Sequence, residues 1–353
     1  MRSTVRLTAL LGLVAVLGCG GRPGDKGGDK GNLPRVALVL SVGGLGDKSF
    51  NDSAHEGLMR AGRELPVKVF EGQPTMMAED ERYLRTYAGR GFDLIIAVGF
   101  LMKSATVKVA RDYPGIRFAI IDADVDPVKE NPNKNIASLR FKEHEGSFLV
   151  GAAAALASKT GIVGFVGGMD IPLIHKFELG YTEGAKHVDP AASVLVQYAG
   201  SGPEAFSDPV KGKQLAEGMF SRGADVIFHA SGSTGNGVIE AARAQGKLAI
   251  GVDANQDGDA PGFVLTSMIK RVDVAVFNAI KETLDRRYRG EPHHYGLVEG
   301  AVSTTDFSCM KDPVKAKGRM DPERLARILT TLDKIKQEIV AGKIKVSNYE
   351  ESH

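Results

Sequence analysis

Apolar residues in this chain fall into short continuous runs at regular spacing, separated by longer segments in which they recur every three or four positions. The first series of runs occupies residues 35–41, 67–70, 94–98, 118–122 and 136–139, and a second occupies 162–166, 194–198, 226–229, 248–252 and 264–267. Continuous rather than alternating runs predict strands covered by helices on both faces, as in parallel sheets. The intervening segments read as helices. One ends at Glu64 and opens on Asn51 or Ser53 as cap; another runs from a Thr234 cap to Gln245. Over residues 322–340, Leu325, Ile328, Leu329, Leu332, Ile335 and Ile339 make one apolar stripe, predicting a long helix that closes a lobe surface. Two sets of five strands with intervening helices predict an α/β protein of two doubly wound lobes.

The first 33 residues belong to neither lobe. Arg2 and Arg6 precede an apolar run at 7–17, too short for a bilayer core that needs about 20 residues. The run ends at Val16-Leu17-Gly18-Cys19, which resembles a bacterial lipobox. Residues 1–18 therefore read as a signal peptide, Cys19 as the lipidated first residue of the mature chain, and 19–33 as a flexible polar tether. An exported protein is expected, anchored by lipid to a membrane with its folded part in the periplasm or extracytoplasmic space. With Cys19 lipidated, Cys309 has no disulfide partner. Near balance of 45 basic and 43 acidic residues, with no basic stripe, argues against a nucleic-acid partner. A monomer is expected.

Open α/β sheets bind ligands at the carboxyl ends of their strands, and the chemistry of this chain gathers there. The first strand leads into Ser41-Val-Gly-Gly-Leu-Gly-Asp47-Lys-Ser-Phe50-Asn51-Asp52. The G-x-G-x-x-G order of a dinucleotide site is absent, and Phe50 stands where a pyrophosphate needs bare backbone. Gly99-Phe100 and Asp122 follow the third and fourth strands. In the second half come Gly167-Gly168-Met169, Phe177, Ser231-Gly232-Ser233-Thr234-Gly235 and Asp253. Together they predict a polar pocket with aromatic walls. No G-x-S-x-G elbow, H-E-x-x-H or P-loop supports an enzyme, and no cofactor is expected. His293-His294 reads as a loop rather than a metal site, and Asp257-Gly-Asp259 lacks the Glu that a calcium loop requires.

As an ordered set, Gly46-Asp-Lys-Ser-Phe-Asn51, Phe118-Ala-Ile-Ile-Asp122, Glu145-Gly-Ser-Phe-Leu-Val-Gly151, Gly164-Phe-Val-Gly-Gly-Met169, Gly232-Ser-Thr-Gly-Asn-Gly237, Gly251-Val-Asp253 and Thr266-Ser-Met-Ile-Lys270 resemble the basic membrane protein family of substrate-binding lipoproteins, which includes purine nucleoside receptors of ABC transporters. The resemblance implies a type I periplasmic-binding fold, with residues 34–139 and 264–300 in one lobe and 140–263 and 301–346 in the other. Three hinge crossings are implied near Leu139, Val264 and Gly300. It further implies an ABC permease as partner and a nucleoside held between Phe50 and Phe177. Asn51 and Asp122 then lie nearby, Asp253 and Lys270 on the ribose, and Gly232 to Gly235 along the wall. Ser41 stands where the family usually carries the Asp that helps read the base, so the resemblance leaves base choice open and admits other ring compounds such as riboflavin. A ligand sensor without transport is the other reading.

Overall fold

A computed structural model of the chain describes residues 33–316 and 318–352. The residues read as signal peptide, lipidated Cys19 and tether, up to Asn32, lie outside the described residues. Among the described residues, no helix is long and apolar enough to cross a membrane.

All ten apolar runs form strands: β1 (Arg35–Val39), β2 (Lys68–Gly72), β3 (Leu94–Ala97), β4 (Arg117–Ile121), β5 (Ile136–Phe141), β6 (Ile162–Met169), β7 (Ser193–Gly200), β8 (Val226–Ala230), β9 (Leu248–Asp253) and β10 (Val264–Lys270). Two further strands are β11 (Pro292–Tyr295) and β12 (Val302–Thr304). One sheet runs β11-β5-β4-β3-β1-β2 and the other β12-β10-β9-β8-β6-β7. Pairing is parallel except where β12 runs against β10. The two orders are the same order, so each strand of one lobe has a counterpart in the other: β4 with β9, for example. The central strands β3, β8 and β9 are buried along their whole length, which is why their runs are apolar on both faces.

The main helices are α1 (Phe50–Glu64), α2 (Asp80–Gly89), α3 (Lys103–Asp112), α4 (Glu143–Ala157), α5 (Pro172–Val188), α6 (Pro209–Ser221), α7 (Thr234–Gln245) and α8 (Val272–Leu284). After two single turns, α9 (Ser308–Lys311) and α10 (Pro313–Ala316), come α11 (Pro322–Val340) and α12 (Tyr349–Ser352). Helices α1, α2, α3 and α8 clothe the first sheet; α4 to α7 clothe the second, and α11 lies on α4. The stripe on α11 is buried at Leu325, Ile328, Leu332, Ile335 and Ile339, and Asp321 caps its first turn by accepting from Arg324 N at 2.9 Å. Helices α4 and α5 touch backbone to backbone: a Cβ on Gly184 would collide with Phe148 O, and one on Gly151 with Tyr181 O.

The chain passes between lobes at Lys142, at Arg271 and through residues 296–301. The crossing implied near Val264 thus falls later, because β10 completes the second sheet before the chain leaves it. Likewise Arg140 and Phe141 extend β5 and belong to the first lobe. His293 and His294 sit in the edge strand β11 rather than in a loop, and point to opposite faces of it. Among the described residues no group of His, Cys, Asp and Glu could hold a metal ion.

Candidate functional site: a cleft between the two sheets

The carboxyl ends of the two sheets face each other across a cleft with about 770 Å³ of empty space, counted out to its open mouth. That is the size range of small-molecule sites. Ser41, Asp47, Phe50, Asn51, Gly99, Phe100, Asp122, Phe177, Gly232, Asp253 and Lys270 all line it. Thr234 and Gly235 do not. Thr234 is fully buried; its hydroxyl donates to Ala205 O at 2.9 Å and accepts from Asp208 N at 2.8 Å, tying the loop after β7 to the start of α7 instead of capping α7. Gly235 lies against the His229 ring, which leaves no room for a Cβ.

Sequence reasoning missed Phe206, an aromatic wall from the loop after β7. Its ring occupies the space over Gly168, where a Cβ would collide with it, and its carbonyl accepts from Ser233 Oγ at 3.2 Å. Across the cleft mouth Phe206 meets Phe100 edge to face, with centroids 6.5 Å apart. Ser231, from the segment between β8 and α7, also lines the cleft, and its hydroxyl is buried without a partner.

In the first lobe the turn between β1 and α1 is built around Asp47. Its carboxylate accepts from Ser49 N, Asn51 N and Asp52 N at 2.9, 2.8 and 3.2 Å, taking up the open amides at the start of α1. Neither Asn51 nor Ser53 is the cap. Burial raises the Asp47 carboxyl above its usual range, and these amides counter it. Asn51 Oδ1 instead accepts from Ser41 N at 3.0 Å and Ser41 Oγ at 3.2 Å, which fixes the amide in the cleft wall. Gly99, at φ +99°, passes close beneath the Phe50 ring, in a conformation that favours glycine.

Counterpart carboxylates mark the two lobes. Asp122 follows β4 and Asp253 ends β9, and both adopt left-handed backbone, at φ +62° and +64°. Non-glycine residues hold that conformation at some energetic cost and chiefly at functional sites. Between them reaches Lys270 from the end of β10. Its ammonium lies 2.6 Å from Asp122 Oδ2 and 3.0 Å from Glu143 Oε1, and Lys176 pairs with the other Glu143 oxygen at 2.6 Å. Burial alone would lower the Lys270 pKa, but Asp122, Glu143 and Asp253 outweigh it. Burial likewise opposes ionisation of Glu143, yet Lys176 and Lys270 hold it down at about 2. Burial pushes Asp253 up to about 6, with Lys270 and the Ser49 hydroxyl opposing. Asp122 is raised by burial, and its Oδ1 has no partner. Lys270 is thus no surface ion pair with its sequence neighbour Asp273; Arg271 takes that partner at 2.8 Å. Lys270 Nζ also lies 5.2 and 5.6 Å from the ring centroids of Phe50 and Phe177, which come from opposite lobes.

Comparison with known proteins agrees with this architecture. The chain is 36% identical to the CD4+ T-cell-stimulating antigen of Listeria innocua over 96% of each chain. It is 34% identical to the ABC transporter nucleoside-binding protein BmpA of Lactococcus lactis, over 90% of this chain and 95% of that one. A crystal structure of an ABC transporter solute-binding protein from Aeropyrum pernix superposes with a TM-score of 0.74 at 33% identity, covering 90% of this chain and 96% of that one. Residues 35–341 match the family described as ABC transporter substrate-binding protein PnrA-like. With two like-ordered, mostly parallel sheets closing on one cleft, the protein belongs to that family of substrate-binding proteins and has its type I periplasmic-binding fold.

Proposed function

We propose that the cleft captures a nucleoside and that the protein, tethered through a lipid on Cys19, delivers it to an ABC permease. The observation that carries this reading is the pair of aromatic rings, Phe50 and Phe177, brought from opposite lobes to the same side chain, Lys270. Stacking on a base needs no particular edge pattern and contributes about 1–3 kcal/mol per ring. A ribose fits the polar floor beneath. Asp253 accepts from its vicinal hydroxyls, and the buried, unpartnered Asp122 Oδ1 and Ser231 Oγ supply further contacts. A deoxy analogue leaves those groups unpaired, at about 1–3 kcal/mol.

The charge balance favours a nucleoside over a nucleotide. Among the described residues lining the cleft, Lys270 is the one cation, and Asp122 and Glu143 already neutralise it. Base choice rests on a neutral edge, since Ser41 gives its hydroxyl proton to Asn51. The test is isothermal titration of the full chain, refolded to remove carried-over solute, against adenosine, guanosine, inosine, uridine, cytidine and riboflavin. Submicromolar binding of a nucleoside, weakened by removal of the 2′-hydroxyl, is expected. Silence toward all five nucleosides overturns the reading, and binding of riboflavin alone replaces it with a flavin receptor.

A further inference from the structure

A second cavity opens beside the Lys142 crossing and shares no lining residue with the solute cleft. Basic and imidazole groups reach it from both lobes, Arg140 on β5, Lys142 in the crossing, His144 on α4, Lys176 on α5 and His294 on β11, and Asp124 and Glu351 line it too. Into it the terminal turn α12 places Glu350. That carboxylate pairs with Arg140 Nη2 and lies 3.3 Å from Lys176 Nζ. The remaining charges are partly met. Arg140 Nη1 has the exposed Asp124 at 3.1 Å, Lys142 has Glu145 at 3.3 Å, and Lys176 has Glu143 at 2.6 Å. His144 is 7% exposed and its Nδ1 has no partner. Burial first, and Lys176 second, lower its pKa, so it stands as a neutral imidazole.

A carboxylate gripped between an arginine of one lobe and a lysine of the other is an anion site with an occupant in place. We propose that this rear cavity binds a small oxyanion of the phosphate or carboxylate class, and that Glu350 is a tethered resident which a free anion displaces. Guanidinium and ammonium groups converging with an imidazole suit such an ion, and charge-assisted bonds to it are the strong kind. The resident sits on a short segment packed on α5: α12 is four residues long, Ser347 N donates to Glu183, Glu350 N donates to Asn348 Oδ1 at 3.3 Å, and Tyr349 stacks on His175 with centroids 4.6 Å apart. A group on a short tether competes at an effective concentration of about millimolar. Free anion therefore displaces wild-type Glu350 only in that range or above.

The test uses inorganic phosphate on the full chain, with chloride at equal ionic strength as reference and acetate as the carboxylate probe. Glu350→Gln is expected to show a saturable rise in melting temperature with phosphate, half complete at a concentration at least tenfold below that of the wild type. Adding Arg140→Gln abolishes it. A chain ending at Val346 repeats the measurement without any residue of α12, in case the amide introduced by Glu350→Gln itself fills the site. Absence of a saturable response in both variants, equal responses in wild type and variants, or a response that survives Arg140→Gln each overturns the proposal.

Discussion

Ser49 Oγ, in the first lobe, donates across the cleft to Asp253 Oδ2, in the second, at 2.5 Å, and both side chains are buried. Nearby, Lys48 and Asp259 form an exposed ion pair between the same two lobes at 3.2 Å. The buried bond is the consequential one, because exposed pairs contribute little. Removing the Ser49 hydroxyl strips a donor from a desolvated carboxylate, a loss of about 1–3 kcal/mol. Ser49→Ala is therefore expected to weaken solute binding about tenfold or more, while Lys48→Ala changes it less than about threefold. Titration calorimetry on both variants, with circular dichroism to check folding, reads the difference; equal effects would contradict the ranking.

Phe50 and Phe177 differ in what their removal tests. Phe50 is half-buried at the start of α1, whereas Phe177 is 4% exposed and packs in the main core. Phe50→Ala is expected to reduce nucleoside affinity by roughly ten- to hundredfold, the worth of one stacked ring, with a smaller loss of melting temperature than Phe177→Ala, since Phe50 only partly packs on the core. Phe177→Ala leaves a core void and costs about 3–5 kcal/mol of stability. Phe177→Leu, which keeps most of the volume, is the fairer probe. Unchanged affinity in Phe50→Ala combined with Phe177→Leu would remove the aromatic sandwich.

Lys270→Met leaves Asp122 and Glu143 as buried carboxylates with one cation fewer. Breaking such a pair typically costs about 3–5 kcal/mol. A lower denaturant midpoint is expected, and adding Asp122→Asn should recover part of the loss. If the double variant is no more stable than Lys270→Met alone, the ion pair is not what holds the lobes together at this point.

The Asp253 carboxyl is raised from the ordinary 3.8 to about 6, chiefly by desolvation. A raised carboxyl favours the proton in the folded state. Its stabilising contribution is complete below the unfolded value and is lost as pH rises through about 6. Melting temperature of the solute-free protein should therefore decline across that window by more than in Asp253→Asn. A solute that donates hydroxyls to the carboxylate favours the ionised form, so affinity should climb over the same window. Parallel melting profiles for the two proteins would assign the titration elsewhere, Asp80 being raised to about 6 as well.

Most of the ten strands could be read from the sequence because they are buried on both faces and write their position as an apolar run; β2 and β7 are half-exposed edge strands whose β-branched and aromatic residues still mark them. Pro292–Tyr295 and Val302–Thr304 escaped: they are edge strands of four and three residues, too short to write an apolar run. The cleft was legible for a different reason. Its polar residues stand just after the strands, where few other roles explain them. What could not be read were contacts made through the fold. Phe206 arrives from a loop after an edge strand and is placed by Gly168 and Ser233. Glu143 looks like a helix residue until Lys176 and Lys270 surround it. Thr234 and Gly235 misled because a glycine-rich turn resembles a binding loop whether it faces solute or packs inward.

The threefold passage between lobes has a bearing on biogenesis. The first lobe takes α8 and β11 only after the second sheet has received β10, and the second takes β12 and α11 only after that. Neither half is a contiguous stretch of chain. A polypeptide appearing amino end first has no complete lobe to fold until residue 295 has emerged, and lacks the helix covering α4 until residue 340. Both halves therefore mature late and nearly together, and cutting the gene at one point cannot yield either half as a separate folded domain.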